Sequence, residues 1–459
     1  MPRLVIVSNR VSFPTERSNQ AGGLAVALRE AIERRGGVWF GWSGHVAGTT
    51  ATEPHVAHAG RVTYLTVDLG NADHQAFYIG YANSTLWPLL HFRLGILEYK
   101  REEFEGYLGV NAKLAAILAP RLEPDDLVWV HDYHFFPFAA ELRKLGVSNR
   151  IGFFLHTPFP PADVLIALPH HATLLRALSA YDLLGFQTDM TTRAVLGCIT
   201  ALAGGNAGPD GRFEAFGAHG RALTFPIGID TKAFAASALR AAASPEALRL
   251  KTSLAGRRLI IGVDRLDYTK GIPKRFESIE CLLSQRPDFR RTFNYLQISP
   301  HSRGEVAQYR AMRRELESTA GRINGQFAEF DWSPIRYINR SFSRRTLAGF
   351  YRLARIALVT PFRDGMNLVA KEFVAAQDRD DPGILILSHL AGAAQELHQA
   401  LVVNPFDVDE IAEALKRALE MTVEERRERW EGMWATVNTQ TVTTWHRSFV
   451  AALSMEPEA

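Results

Sequence analysis

The stretch LIIGVDRLDYTKG, residues 259–271, decides the fold. Leu259 to Asp264 is a short, nearly continuous apolar run, the pattern of a strand buried on both faces of a parallel sheet. Pro273 then stands near the start of a helical pattern carrying Phe276, Ile279 and Leu283, a place where proline is tolerated. The same β-then-α unit recurs in both directions. Apolar runs stand at Leu4–Ser8, Leu127–His131, Ile151–His156, Leu183–Gln187, Phe293–Ile298, Ile356–Pro361, Ile384–Ser388 and Leu401–Asn404. Between them, Gly23–Arg35 and Tyr107–Leu118 repeat apolar residues at helical spacing. This alternation predicts an α/β chain built on doubly wound parallel sheets.

The number of strands and a length of 459 residues predict two such sheets. Gly204–Gly220 is rich in Gly, Ala and Pro and reads as a loop or insertion. An Ala-rich stretch, Ala233–Leu248, follows before the run at Leu259. The expected domains are therefore 1–235 and 236–440. Val442, Trp445, Phe449 and Leu453 form one further amphipathic helix, within 441–459, expected to lie across another domain.

Hydrophobic residues make up 47% and charged residues 22%, which excludes a long disordered chain. Lys and Arg total 52 against 49 Asp and Glu, a net charge of +3. No basic run reads as a nucleic-acid arm, so small phosphorylated ligands are the better expectation. Cys198 and Cys281 are expected to be buried free thiols in a reducing compartment. The apolar run Leu4–Val7 is too short for a signal peptide, and no stretch approaches the ~18 apolar residues of a membrane span. A cytoplasmic protein without membrane contact is expected. G-x-G-x-x-G after the first strand, G-x-x-x-x-G-K-[ST], H-E-x-x-H, G-x-S-x-G and paired C-x-x-C are all missing. That counts against NAD-binding, P-loop, zincin and α/β-hydrolase chemistry.

Polar residues cluster at the carboxyl ends of the expected strands, where open α/β sheets bind ligands. Arg10, in SNR (8–10), can hold a phosphate, and AGGL (21–24) lets a ligand approach a helix start at Gly23; the alternative is a turn with a surface arginine. In HDYH (131–134) and LHTPFP (155–160), Asp132 and His156 stand at neighbouring strand ends and suit sugar hydroxyls. A buried hydrogen-bonded pair is the alternative. His131 and His134 allow a metal reading, but no further ligand assembles at the right spacing. Arg265 and Lys270 put two cations at the mouth of a helix, where a diphosphate would find charge and backbone donors together. Arg303 can add a third. In RDGMNLVAKE (363–372), Asp364 and Glu372 can accept bonds from hydroxyls, and the backbone N–H groups of Gly365, Met366, Asn367, Leu368 and Val369 face a helix start. Tyr78 and Trp87 suit an aromatic wall for a sugar, although such residues are more often core.

Taken in order, SNR, AGGL, LWPLLHFR, VWVHDYHFFPFA, GFFLHTPFP, LLGFQT, FPIGID, RLDYTKG, SRGEV, LVTPFRDGMNLVAKEFVAAQ and AGAAQEL resemble the trehalose-6-phosphate synthases, from residue 8 to about 406 and so over most of the chain. The resemblance implies the GT-B glycosyltransferase fold. Two Rossmann-like domains face a central cleft, and the last helix crosses back to the N-terminal domain. It implies transfer of glucose from UDP-glucose to glucose 6-phosphate with retention, giving α,α-trehalose 6-phosphate. It further implies no cofactor, no metal and a separate phosphatase, and it allows a homo-oligomer.

Carried over by motif, Arg10 and Arg303 grip the acceptor phosphate, with Tyr78 and Trp87 beside it, and Asp132 binds acceptor hydroxyls. Gly23 touches the donor diphosphate. Arg265 and Lys270 neutralise UDP as it leaves. Asp364 and the backbone at 365–369 hold the donor, Glu372 binds its ribose, and His156 contacts its sugar. Thr157 and His301 depart from the family pattern without removing a charge. A related transferase using GDP-glucose, glycerol 3-phosphate or an amino-cyclitol, and a non-catalytic sugar-phosphate sensor, are the competing readings.

Overall fold

The computed structural model describes residues 2–11, 28, 29, 32, 33, 35–300 and 307–455. Gly23, His301 and Arg303, and most of the expected helix Gly23–Arg35, lie outside them. The described chain divides into two compact units, Met1–Ile227 with Val442–Ala459, and Gly228–Thr441.

The first unit holds a sheet of ten described strands. They are β1 (Leu4–Arg10), β2 (Gly37–Ala47), β3 (His55–Ala59), β4 (Val62–Gly70), β5 (Leu127–His131), β6 (Arg150–Phe154), β7 (Leu183–Phe186), β8 (Asn206–Ala207), β9 (Arg212–Ala215) and β10 (Ala218–Thr224). The order is β3-β4-β2-β1-β5-β6-β7-β10-β9-β8. From β4 to β10 neighbouring strands are parallel; β3, β9 and β8 pair antiparallel at the edges. The central strands are apolar on both faces, and Leu4–Ser8 and all of β5 are buried. The expected loop at 204–220 is thus corrected: its residues form β8, β9 and the start of β10. Only alternate residues of β9 are buried, so it lacks the continuous apolar run of the central strands.

The second unit holds six described parallel strands, β11 (Arg258–Val263), β12 (Phe293–Ile298), β13 (Ile335–Ile338), β14 (Ile356–Val359), β15 (Ile384–Ser388) and β16 (Leu401–Val403). Their order is β13-β12-β11-β14-β15-β16, the doubly wound 3-2-1-4-5-6 arrangement, whose direction reverses between β11 and β14. The helix Ile272–Gln285 follows β11 and buries Ile272, Phe276, Ile279, Leu282 and Leu283, with Pro273 in its first turn. The unit begins at Gly228, ahead of the expected 235/236 boundary. The helix Thr231–Ala241 packs on Arg344–Leu353 and Leu368–Ala376, and Ile229 bridges to Thr441.

The helix Val442–Ser454 belongs to the first unit. Phe449 is fully buried and stacks on Trp129 of β5 with ring centroids 4.6 Å apart. It lies so close over β6 and β7 that a Cβ on Gly152 or Gly185 would come within 2.8 or 2.6 Å of its ring. Cys198 is buried, whereas Cys281 is only half-buried, its thiol 3.2 Å from Asp409 on a neighbouring helix. No helix among the described residues is long and apolar enough to cross a membrane.

Candidate functional site

Each sheet has a point where strand order reverses, and the chemistry-bearing residues gather at both. In the first unit the reversal lies between β1 and β5. Arg10 ends β1, exposed, and pairs in register with Trp42 of β2. Gly44 has φ +91, and a Cβ there would stand 2.8 Å from Arg10 Nε, so glycine leaves the guanidinium its place. The Trp42 ring lies 5.5 Å from Tyr78, which stacks on His134 at 5.9 Å. Tyr133 lies 4.1 Å from His134 and 5.6 Å from Trp87. This chain of rings joins Arg10, Tyr78 and Trp87 around the end of β5. Tyr78 is half-buried, whereas Trp87 is 6% exposed and part of the core. Tyr78 sits on His74–Leu86, a helix wound with π geometry for 13 residues, a form that recurs at functional sites.

Asp132 follows β5 with φ +74 and ψ 166, a conformation that residues with a Cβ avoid. Its Oδ1 accepts the backbone N–H of His156 at 3.3 Å. The His156 ring is held on both sides. Ile227 donates its N–H to Gln187 Oε1 at 2.9 Å, which turns the Gln187 amide nitrogen toward His156 Nδ1 at 3.3 Å. Nδ1 is therefore an acceptor, and the ring proton sits on Nε2, 3.1 Å from His131 Nδ1. Burial pushes His156 down to about 3 and His131 well below its usual value, with His156 and His446 adding to the shift at His131. Both rings are neutral near pH 7, so His156 is a poor proton donor. Gln187 was missed in the sequence because LLGFQT reads as a plain strand end. Thr157, the next residue in the chain after His156, is buried.

In the second unit the reversal lies between β11 and β14. Asp264, Arg265 and Lys270 follow β11; Thr360 and Asp364 follow β14. Asp267 caps the turn Tyr268–Lys270, accepting from Thr269 N at 3.0 Å. Gly271, at φ +66, passes so near β14 that a Cβ would lie 2.3 Å from the Thr360 carbonyl oxygen. Lys270 Nζ donates to Asp364 Oδ2 at 2.6 Å, and Asn367 Nδ2 donates to the same oxygen at 3.1 Å. Arg265 is about half exposed, 3.8 Å from Asp267.

Asn367, at φ +81, also caps the helix Leu368–Ala376 through Ala370 N. The first N–H groups of that helix have no carbonyl one turn earlier to bind, the usual origin of an anion-binding helix start. Glu372 is buried one turn further in, its Oε1 accepting from Arg344 Nε at 2.9 Å. Burial raises its pKa, and Arg344 opposes the rise. Among the described residues no group of three or more His, Cys, Asp or Glu is placed to hold a metal ion.

Two cations and a helix start have the chemistry to bind an anion such as a diphosphate, and an exposed arginine stands near aromatic rings. The sequence model of glycosyltransferase family 20 matches residues 2–455. The chain belongs to glycosyltransferase family 20. A trehalose-6-phosphate synthase of Sinorhizobium fredii is 49% identical over 457 residues, covering 99% of this family-20 chain and 98% of the relative. The crystal structure of an α,α-trehalose-phosphate synthase (UDP-forming) from Burkholderia xenovorans in complex with glucose-6-phosphate matches with a TM-score of 0.95. It is 47% identical and covers 99% of this chain and 100% of that one. An E. coli structure bound with UDP-2-fluoro glucose matches at 0.94, with 44% identity and coverage of 99% and 100%. The family-20 membership and the α/β architecture of two Rossmann-like domains expected from the motifs both hold.

Proposed function

We propose that this family-20 chain transfers glucose from UDP-glucose to glucose 6-phosphate, forming α,α-trehalose 6-phosphate and UDP. The observation that carries the reading is its full-length likeness to UDP-forming synthases solved with the acceptor and with an analogue of the donor. Within that reading, Arg10 binds the acceptor phosphate together with Arg303, beside Tyr78, while Asp132 accepts from acceptor hydroxyls. Gly23, Asp364 and the backbone at 365–369 hold the donor, and Glu372 takes the ribose. Trp87 shapes the acceptor side from the core rather than as an open wall.

Transfer proceeds on the front face of the sugar. The bond from the anomeric carbon to the diphosphate oxygen breaks while the acceptor's anomeric oxygen bonds to the same face. The departing diphosphate takes the acceptor's proton. Arg265 and Lys270 stabilise the negative charge that grows on the leaving group, which is the main catalytic contribution. Neutral His156, with its ring fixed by Gln187 and His131, orients the donor sugar and transfers no proton. These two cations fill the charge role that a divalent metal has in some transferases. The test is incubation with UDP-glucose and glucose 6-phosphate in EDTA, following UDP release and the anomeric NMR signals. An α,α-1,1 product is expected. Silence with UDP-glucose but turnover with GDP-glucose would overturn the donor assignment.

A further inference from the structure

We propose that Arg275 is a positioning residue for Lys270, clamping the backbone that carries the leaving-group cation. The proposal rests on the reading that Lys270 neutralises the departing diphosphate. Arg275 lies on the helix Ile272–Gln285, on the face that buries Ile272, Phe276 and Ile279, and it is 0% exposed. Its guanidinium fans across the sheet at the reversal point. Nη1 donates to Asp264 Oδ2 at 2.5 Å and to Gln297 Oε1 at 3.3 Å. Nε donates to Thr360 Oγ1 at 3.0 Å, and Nη2 donates to the Lys270 carbonyl at 2.9 Å. Asp264 follows β11, Gln297 lies on β12 and Thr360 follows β14, so one side chain ties three strands to one peptide. Gly262 leaves room for the fan, since a Cβ there would stand 2.4 Å from Gln297 Oε1 and 3.1 Å from Arg275 Nη1.

A buried arginine–carboxylate pair contributes little to stability over an apolar replacement. The fourth bond, to the Lys270 carbonyl, has a directional consequence. The preceding residue is pinned as well, because Phe362 N donates to Thr269 O at 2.8 Å. With both peptides fixed, the Lys270 ammonium is delivered from a set origin to the Asp364 side of the site. A charge held in place before reaction stabilises a leaving group better than one that must be recruited.

A double-mutant cycle between Arg275 and Lys270 tests this, reading kcat, the KM for glucose 6-phosphate, UDP affinity by calorimetry and the thermal midpoint. Arg275→Lys keeps a cation beside Asp264 but cannot reach all four acceptors. It is expected to fold, to lose about tenfold in kcat and UDP affinity, and to leave the acceptor KM within about twofold. On the Lys270→Ala background the same substitution is expected to cost nothing more. Losses that multiply across the two backgrounds would overturn the proposal, as would wild-type kcat in Arg275→Lys. Lys270→Ala with wild-type turnover would instead remove the leaving-group reading, and the proposal with it. If Arg275→Lys does not fold, Thr360→Val, which removes only the Nε acceptor, takes its place in the cycle with the same outcomes.

Discussion

Asp132 holds φ +74 and ψ 166 although it carries a Cβ. Such a conformation costs about 1–3 kcal/mol and persists only where surrounding bonds over-determine it. Here its carboxylate accepts the His156 N–H, and its own N–H donates to the Phe154 carbonyl at 2.8 Å. Glycine should relieve the strain where alanine keeps it. Asp132→Gly is expected to be more stable than Asp132→Ala by about 1 kcal/mol, measured by denaturant titration, while both raise the KM for glucose 6-phosphate. At Arg10 the constraint comes from a neighbour. Gly44→Ala would force the guanidinium aside and should raise the acceptor KM, leaving UDP affinity unchanged in calorimetry. Lys270→Ala removes a cation poised over Asp364. It should lower kcat about 100-fold or more, in the range of a lost oxyanion donor, with little change in acceptor KM. Steady-state kinetics would show the split.

Among the elements, the helix Val442–Ser454 completes the first unit through rings. Phe449 stacks on Trp129, and Trp445 meets Phe154 edge-on at 5.1 Å and His156 at 6.0 Å. Phe449→Ala should lower unfolding stability by about 3–5 kcal/mol, the cost of emptying a buried phenylalanine site, read by urea titration. The strands flanking the two reversal points were largely legible in the sequence because both their faces are buried, so they read as unbroken apolar runs. β5 and β14 stand where those runs stand. β2 was missed because its run, GVWFGWSGHVA, is broken by three interior or terminal glycines and ends in exposed residues. Arg275 was missed for another reason. Its charge suggested solvent, yet it falls three residues after Ile272 and four before Ile279, on the buried face. A cation on an apolar helical stripe was the signal. Glu372 was picked out by its motif, but its bond to Arg344, 28 residues away in sequence, is a product of tertiary packing.

For the whole molecule, the paired rings of His131 and His156 link stability to pH. Both are held neutral in the folded chain, His156 down to about 3, against about 6.5 when unfolded. Between those values the unfolded chain binds more protons, so this contribution is complete above pH 6.5 and is lost as pH falls toward 3. Each ring contributes a slope of up to about 1.4 kcal/mol per pH unit. The thermal midpoint should therefore drop between pH 7 and 5, and His131→Gln should flatten that drop in calorimetric scans. The return of Val442–Ser454 to the first unit also matters during synthesis. The ribosome makes the whole second unit, roughly 200 residues, before the helix that covers Trp129, Gly152 and Gly185 is available. At about 5–20 residues per second that is on the order of 10–40 s in which a nascent sheet shows an uncovered aromatic face, the kind of surface that chaperones bind.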